Sequence, residues 1–150
     1  MLYKIENIFN ASNTQKIIVN NFRRTSEATL AVYDNSKKIF ATEAFIGKNG
    51  ITQNKIEGDG KTPEGIYELG IIFGTHDKEE LQLTNDIKYI KINRNLYWID
   101  DSSSKYYNQL VDITKVRKDW ESSEHLIKYP EQYEYAIEIK VNPKNISGKR

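Results

Sequence analysis

The sequence has no cysteine, which excludes disulfides, thiolate metal sites and a cysteine nucleophile within these residues. It has only two histidines, His76 and His125, too few for the three-ligand histidine sites of catalytic zinc. No metal or cofactor is therefore expected. Long apolar runs are missing as well. The longest, Leu69 to Phe73, is interrupted by Gly70 and falls far short of the roughly 20 residues a membrane-spanning helix needs. The segment Met1-Leu2-Tyr3-Lys4-Ile5-Glu6 has no apolar core of the kind a secretory signal carries. Charge of one sign is not concentrated either. The net charge is +1, and Arg23-Arg24, Lys37-Lys38 and Lys149-Arg150 are scattered among acids, so no phosphate-neutralising stripe is present and no nucleic-acid partner is expected.

What is present is a chain of 150 residues with a hydrophobic share of 38% and a mean hydropathy of -0.69. That size suits one domain with a thin core. Short β-branched and aromatic runs at Ile17 to Val19, Thr29 to Tyr33 and Lys38 to Ile46 read as strands, with Asp34-Asn35-Ser36 turning the last two into a hairpin. Gly47 to Gly65 holds five of the eight glycines together with Pro63 and reads as a long structured loop, after which Gly65 to Leu69 resumes as strand. Ile87 to Ile92 and Asn95 to Ile99 alternate around Asn93-Arg94 as a second hairpin. Ser122 or Ser123 is placed to cap a short helix that turns Leu126 and Ile127 inward and stops before Pro130. In the strand Tyr135 to Val141, the period of two points Ile137, Ile139 and Val141 one way and Ala136, Glu138 and Lys140 the other, the pattern of a half-buried strand. Asn142-Pro143 ends it. The expectation is a single mostly-β domain with one or two short helices.

Catalytic patterns are weak when read residue by residue. Gly60-Lys61-Thr62 matches the end of a phosphate loop, but Lys55 stands where its first glycine belongs and Pro63 steers Thr62 away from helix. Asp100 or Asp101 with Glu124 could form a hydrolytic carboxylate pair, although Asp100-Asp101-Ser102-Ser103-Ser104 reads equally as a solvated loop. His125 near Ser122 and Ser123 has no visible orienting group or oxyanion site. The second half is rich in aromatics, Trp98, Tyr107, Trp120 and Tyr133 among them, which suit either a groove or a core. Asn10-Ala11-Ser12 and Asn145-Ile146-Ser147 match a glycosylation pattern short enough to arise by chance.

One ordered set of residues carries more. Ile46-Gly47-Lys48-Asn49-Gly50 is followed by Lys55-Ile56-Glu57-Gly58-Asp59-Gly60-Lys61-Thr62-Pro63-Glu64-Gly65-Ile66-Tyr67-Glu68-Leu69. Then come Phe73-Gly74, Tyr97-Trp98-Ile99-Asp100-Asp101, Ser104, Tyr107-Asn108, Trp120, Ser123-Glu124-His125-Leu126 and Tyr133-Glu134-Tyr135-Ala136-Ile137. This order resembles the L,D-transpeptidase catalytic-domain family from about residue 46 to 148, and more loosely over Ile17 to Phe45.

The resemblance implies a mostly-β domain whose chemistry cross-links peptidoglycan stem peptides outside the cytoplasmic membrane of bacteria. In that family a cysteine attacks the donor carbonyl, a thioester forms, and an acceptor amine resolves it. The family's histidine and cysteine lie beyond the point reached by Ile146-Ser147-Gly148-Lys149-Arg150, so the expectation is one domain over 1–150, with N-terminal strands in 1–45 and the family-like region in 46–148, that lacks its C-terminal strands, leaves the Ile137, Ile139 and Val141 face exposed and is catalytically silent. No catalytic residue carries over. Trp98, Tyr107, Asn108 and Glu124 are the candidates for a retained substrate-facing wall, and the alternative is a non-catalytic module that binds peptidoglycan or a partner protein.

Overall fold

The computed structural model describes residues 15–21, 25–81, 83, 87–142 and 144. The two glycosylation matches, Arg23-Arg24 and the segment from Asn145 to Arg150 lie outside the described residues. Strands dominate what is described, as the short alternating runs require, and contacts divide the chain into two compact units, one within Met1–Asn54 and Asp59–Glu64, the other within Lys55–Gly58 and Gly65–Arg150.

The first unit is built on an antiparallel sheet of β1 (Gln15–Asn20), β2 (Glu27–Asp34) and β3 (Lys37–Phe45), with β2 in the middle. The expected hairpin forms between β2 and β3, and Asn35 takes the left-handed conformation its turn needs, at φ 52°. The glycine-rich loop is ordered by two short parallel strands, β4 (Ile51–Thr52) and β5 (Thr62–Pro63). Thr62 is not part of a phosphate loop. Its hydroxyl accepts the Gly47 N–H at 2.8 Å, where a Cβ on Gly47 would lie 2.4 Å from the Gly60 carbonyl oxygen.

The second unit holds two three-stranded sheets. In one, β6 (Leu69–Gly74) sits between β11 (Tyr135–Ile139), antiparallel to it, and β7 (Tyr89–Lys91), parallel to it. In the other, β8 (Leu96–Trp98) lies between β9 (Leu110–Asp112) and β10 (Glu124–His125), antiparallel to both. Phe73, Ile92 and Leu126 form one buried cluster, and Ile99, Val111 and Trp120 a second.

Four expectations are corrected. Gly65 to Glu68 is not strand, because the β6 ladder begins at Leu69 and reaches back only through Lys140 N–H to the Glu68 carbonyl, at 2.9 Å. The turn at Asn93-Arg94 forms, with Leu96 N–H on the Asn93 carbonyl at 3.1 Å, but β7 and β8 do not pair. Both edges of β8 are taken by β9 and β10, and Ile92 N–H extends β7 onto the Gly74 carbonyl of β6. The expected helix is reduced to one 3-10 turn, Leu126–Lys128, preceded by His125 in extended conformation with no side-chain cap. Glu124 and His125 are already committed to β8, so a helix cannot begin at Ser122 or Ser123, and Leu126 is buried while Ile127 faces solvent.

The fourth correction concerns β11. It ends at Ile139, short of the expected Val141, while the expected exposure of its isoleucine face is observed: Ala136 packs on the Phe73 cluster, and Ile137 is 44% and Ile139 56% exposed. A bulge in β6 accompanies this arrangement, since Gly70 and Ile71 together oppose Glu138. The Glu138 carboxylate accepts the Ile71 N–H at 3.1 Å, and a Cβ on Gly70 would lie 2.0 Å from the same carboxylate oxygen.

Burial separates two isoleucines and a leucine that sequence alone treats alike. Leu126→Ala and Ile99→Ala, each removing a fully buried side chain, are expected to destabilise the protein by about 2–5 kcal/mol, while Ile137→Ala costs under ~1 kcal/mol. Urea unfolding of the three variants measures the difference.

Candidate functional site

Strand β8 ends at Trp98, and the chain leaves it through Ile99, whose N–H bonds the Gln109 carbonyl at 3.0 Å while its carbonyl accepts the Asn108 N–H at 2.8 Å. This closes the loop between β8 and β9 and fixes Asn108 at φ 59°. An asparagine tolerates that left-handed geometry better than most side chains. Its amide nitrogen also bonds the Asn142 carbonyl just beyond β11, at 3.3 Å.

The loop is tied down from within. Asp101 accepts the Glu121 N–H at 2.7 Å, the Ser103 hydroxyl at 2.6 Å and the Ser103 N–H at 2.9 Å, and these donors, the Glu121 amide foremost, lower its pKa to about 2. Ser104, buried, donates to Asp119 at 2.6 Å. Tyr107, also buried, donates its phenol to Glu57 at 2.9 Å.

Against this loop stand β6 and β11, and between them lies an open cavity of about 460 Å³. Trp98, Ile71 and Leu110 give it apolar wall, and Asn108, Gln109 and Asn142 give it amide groups. Charge comes from Glu138, Lys140 and Glu68, with Lys140 Nζ 3.5 Å from Glu68. Trp98 is held flat against Phe73, centroids 6.4 Å apart and planes at 18°. Its indole N–H is buried and meets no acceptor among the described residues. A buried donor left unpaired costs about 1–3 kcal/mol, so this wall is built at some expense to stability.

Of the four residues named from the sequence, Trp98 and Asn108 line this cavity, and Tyr107 and Glu124 do not. Tyr107 sits behind the loop, bonded to Glu57. Glu124 is opposite Trp98 in the β10–β8 ladder, where it accepts the Tyr133 phenol in a short hydrogen bond. The charged members Glu68, Glu138 and Lys140 escaped sequence reading. Glu138 and Lys140 did stand out as the polar side of an alternating strand, but nothing local says what that side packs against.

The other titratable groups hold the scaffold. Asp101 and Glu124 are engaged as above, and His125 stacks on Tyr97 at 4.1 Å with Nε2 2.9 Å from the Arg94 carbonyl. His76 lies between two carboxylates, Nε2 2.9 Å from Glu134 and Nδ1 3.1 Å from Glu80, and stacks on Tyr135 at 5.0 Å. Hydrogen bonding to Glu134 first and Glu80 second raises its pKa above the ordinary 6.5. Among the described residues no three His, Asp or Glu side chains gather to hold a metal ion, and no helix is long and apolar enough to cross a membrane.

Residues 14–137 match the family model YkuD, the L,D-transpeptidase catalytic domain. No curated protein and no solved structure matches the chain.

Two opposite pH dependences follow from these hydrogen bonds. The folded pKa of Asp101 is depressed, so its contribution is present above the ordinary 3.8 and is lost as pH falls towards about 2. The folded pKa of His76 is raised, so its contribution is present below 6.5 and is lost as pH rises through the raised value. In thermal melts against pH, the gap between wild type and Asp101→Asn should close on acidification. The gap between wild type and His76→Gln should close as the solution is made alkaline.

Proposed function

The chain belongs to the L,D-transpeptidase catalytic-domain family, whose chemistry is peptidoglycan cross-linking, and from that premise we propose that the cavity beside Trp98 receives part of a peptidoglycan stem peptide. The observation that carries this reading is one open cavity in which apolar wall from Trp98, Ile71 and Leu110 stands beside Lys140, Glu138 and the amides of Asn108 and Gln109. A peptide supplies carbonyl oxygens for the amide donors, a carboxylate for the lysine, and N–H groups or an ammonium for the glutamate. Apolar wall from Ile71 and Leu110 suits the short aliphatic side chains between them.

On this reading Trp98 and Asn108 touch the peptide, and Tyr107 and Glu124 act behind them. Tyr107 anchors the loop that carries Asn108, and Glu124 fixes the strand beside Trp98. Both compact units belong to one family domain, a reading supported by the match from 14 to 137, which runs through both.

The cavity residues bind the stem peptide and do not themselves transfer its acyl group. Thioester formation needs a thiolate, and the sequence contains no cysteine. Neither histidine faces the cavity as a free base: His76 is clasped by Glu80 and Glu134, and His125 is stacked on Tyr97.

Calorimetric titration of the purified chain with a soluble tetrapeptide muropeptide tests the binding. Saturable binding is expected, weakened about tenfold by Gln109→Ala, which removes an amide from the cavity wall. Lys140→Ala should weaken it further, and no cross-linked product should form when an acceptor amine is added. Absence of binding, or binding indifferent to both substitutions, removes this cavity from consideration.

A further inference from the structure

The charged side chains lining the cavity beside Trp98 are two acids and one base, Glu68, Glu138 and Lys140. Lys140 Nζ stands 3.5 Å from Glu68, and both side chains reach water, 39% and 85% exposed. Among the described residues that leaves the Glu138 carboxylate without a cation. Glu138 is half-buried, and its partner is a neutral donor, the Ile71 N–H on one of its two oxygens at 3.1 Å. A carboxylate drawn partly out of water is stabilised more by a cation than by one neutral amide. The seat is also fixed in place, because the same oxygen lies 2.0 Å from where a Cβ on Gly70 would be.

The surroundings of this carboxylate restrict the kind of cation. Ile71 gives its N–H to Glu138 and its side chain to the cavity wall, beside Leu110 and Trp98, so hydrocarbon and carboxylate adjoin at one residue. A hard metal ion needs several oxygen ligands, and among the described residues no three acidic or histidine side chains gather. A primary ammonium on an alkyl stem uses both features, its methylenes on the wall and its charge on Glu138. Resting on the reading of the cavity as a stem-peptide site, we propose that Glu138 selects the side-chain amine through which stems are cross-linked, so that the cavity takes stems whose amine is still free. Acylation of that amine turns an ammonium into a neutral amide and removes the charge that Glu138 meets. The chain thereby distinguishes open stems from cross-linked ones. Glu138 falls one residue past the stretch that matches the family model, so family membership by itself does not assign it this role.

Two ligands decide it: a tetrapeptide muropeptide whose side-chain amine is its only free amine, and the same molecule acetylated on that amine. In calorimetric titration of the wild-type chain the free form should bind about tenfold more tightly, and the difference should shrink as salt is raised. In Glu138→Gln, which keeps an oxygen for the Ile71 N–H, the free form should fall to the affinity of the acetylated one. Lys140→Ala weakens both forms on the reading above but should leave their ratio undiminished, because a lysine opposes an ammonium. A wild-type melting temperature for Glu138→Gln shows its fold intact, and the comparison of the two ligands on the wild-type chain needs no variant at all. Binding of neither form removes the cavity reading and this inference together. Equal binding of the two forms, or a preference that survives in folded Glu138→Gln, overturns this inference alone and leaves the cavity reading standing.

Discussion

Phe73 packs against Trp98 at 6.4 Å and Tyr133 at 6.1 Å, and this aromatic contact joins the sheet containing β6 to the sheet containing β8. Much of the second unit is arranged around it. With a phenylalanine ring filling the inner side of β6, the residue opposite Phe73 on β11 must be small, and it is Ala136. Alternation along the strand then leaves no freedom. Glu138 and Lys140 share the side of Ala136, and Ile137 and Ile139 take the other. A carboxylate so placed must be satisfied, and the β6 bulge meets that need by presenting the Ile71 N–H, with Gly70 leaving room for the glutamate side chain. The charged wall of the cavity is thus a consequence of aromatic packing two residues away.

This chain of dependence explains which features were legible in the sequence. Strand positions were, because β-branched and aromatic runs bounded by turn residues are local signals: β1, β2, β3 and the Asn35 turn fall where those runs lie. Strand partners were not. The Asn93-Arg94 turn looks like a hairpin from its own residues, yet β8 had both edges claimed by strands distant in sequence. The exposed isoleucine face of β11 was expected from the missing strand neighbour, but what the other face packs against was hidden, because only the pairing of Ala136 with Phe73 sets it on the core. Trp98 and Asn108 were found through ordered family-like motifs, whereas Glu68, Glu138 and Lys140 join the site through pairing across some 70 residues, which no local pattern carries.

The loop between β8 and β9 shows how the site is held in place. Asn108 carries a left-handed backbone whose cost must be recovered elsewhere. It is recovered on both sides: Ile99 brackets it with two backbone hydrogen bonds, Tyr107 is buried with its phenol on Glu57, and Asp101 gathers three donors. A side chain on a rigid, over-determined turn can meet a ligand without first being ordered, which spares the entropy that a mobile loop would lose.

Trp98 is the clearest case in which stability and recognition pull apart. The ring contributes to the core through Phe73, but its N–H is removed from water without an acceptor. A phenylalanine there would keep the stacking and leave no donor stranded. Tryptophan at this position covers more of Phe73 and more of the cavity wall than a phenylalanine would, and the stranded donor is what that coverage costs. The exposed isoleucine face of β11 follows the same logic at larger scale. Burying the isoleucines would have stabilised the unit, but it would also have turned Glu138 and Lys140 to solvent and emptied the cavity of charge. The packing of Phe73 exchanges apolar burial on one face for a polar wall on the other, and the exposed Ile137 and Ile139 are the direct cost of that exchange.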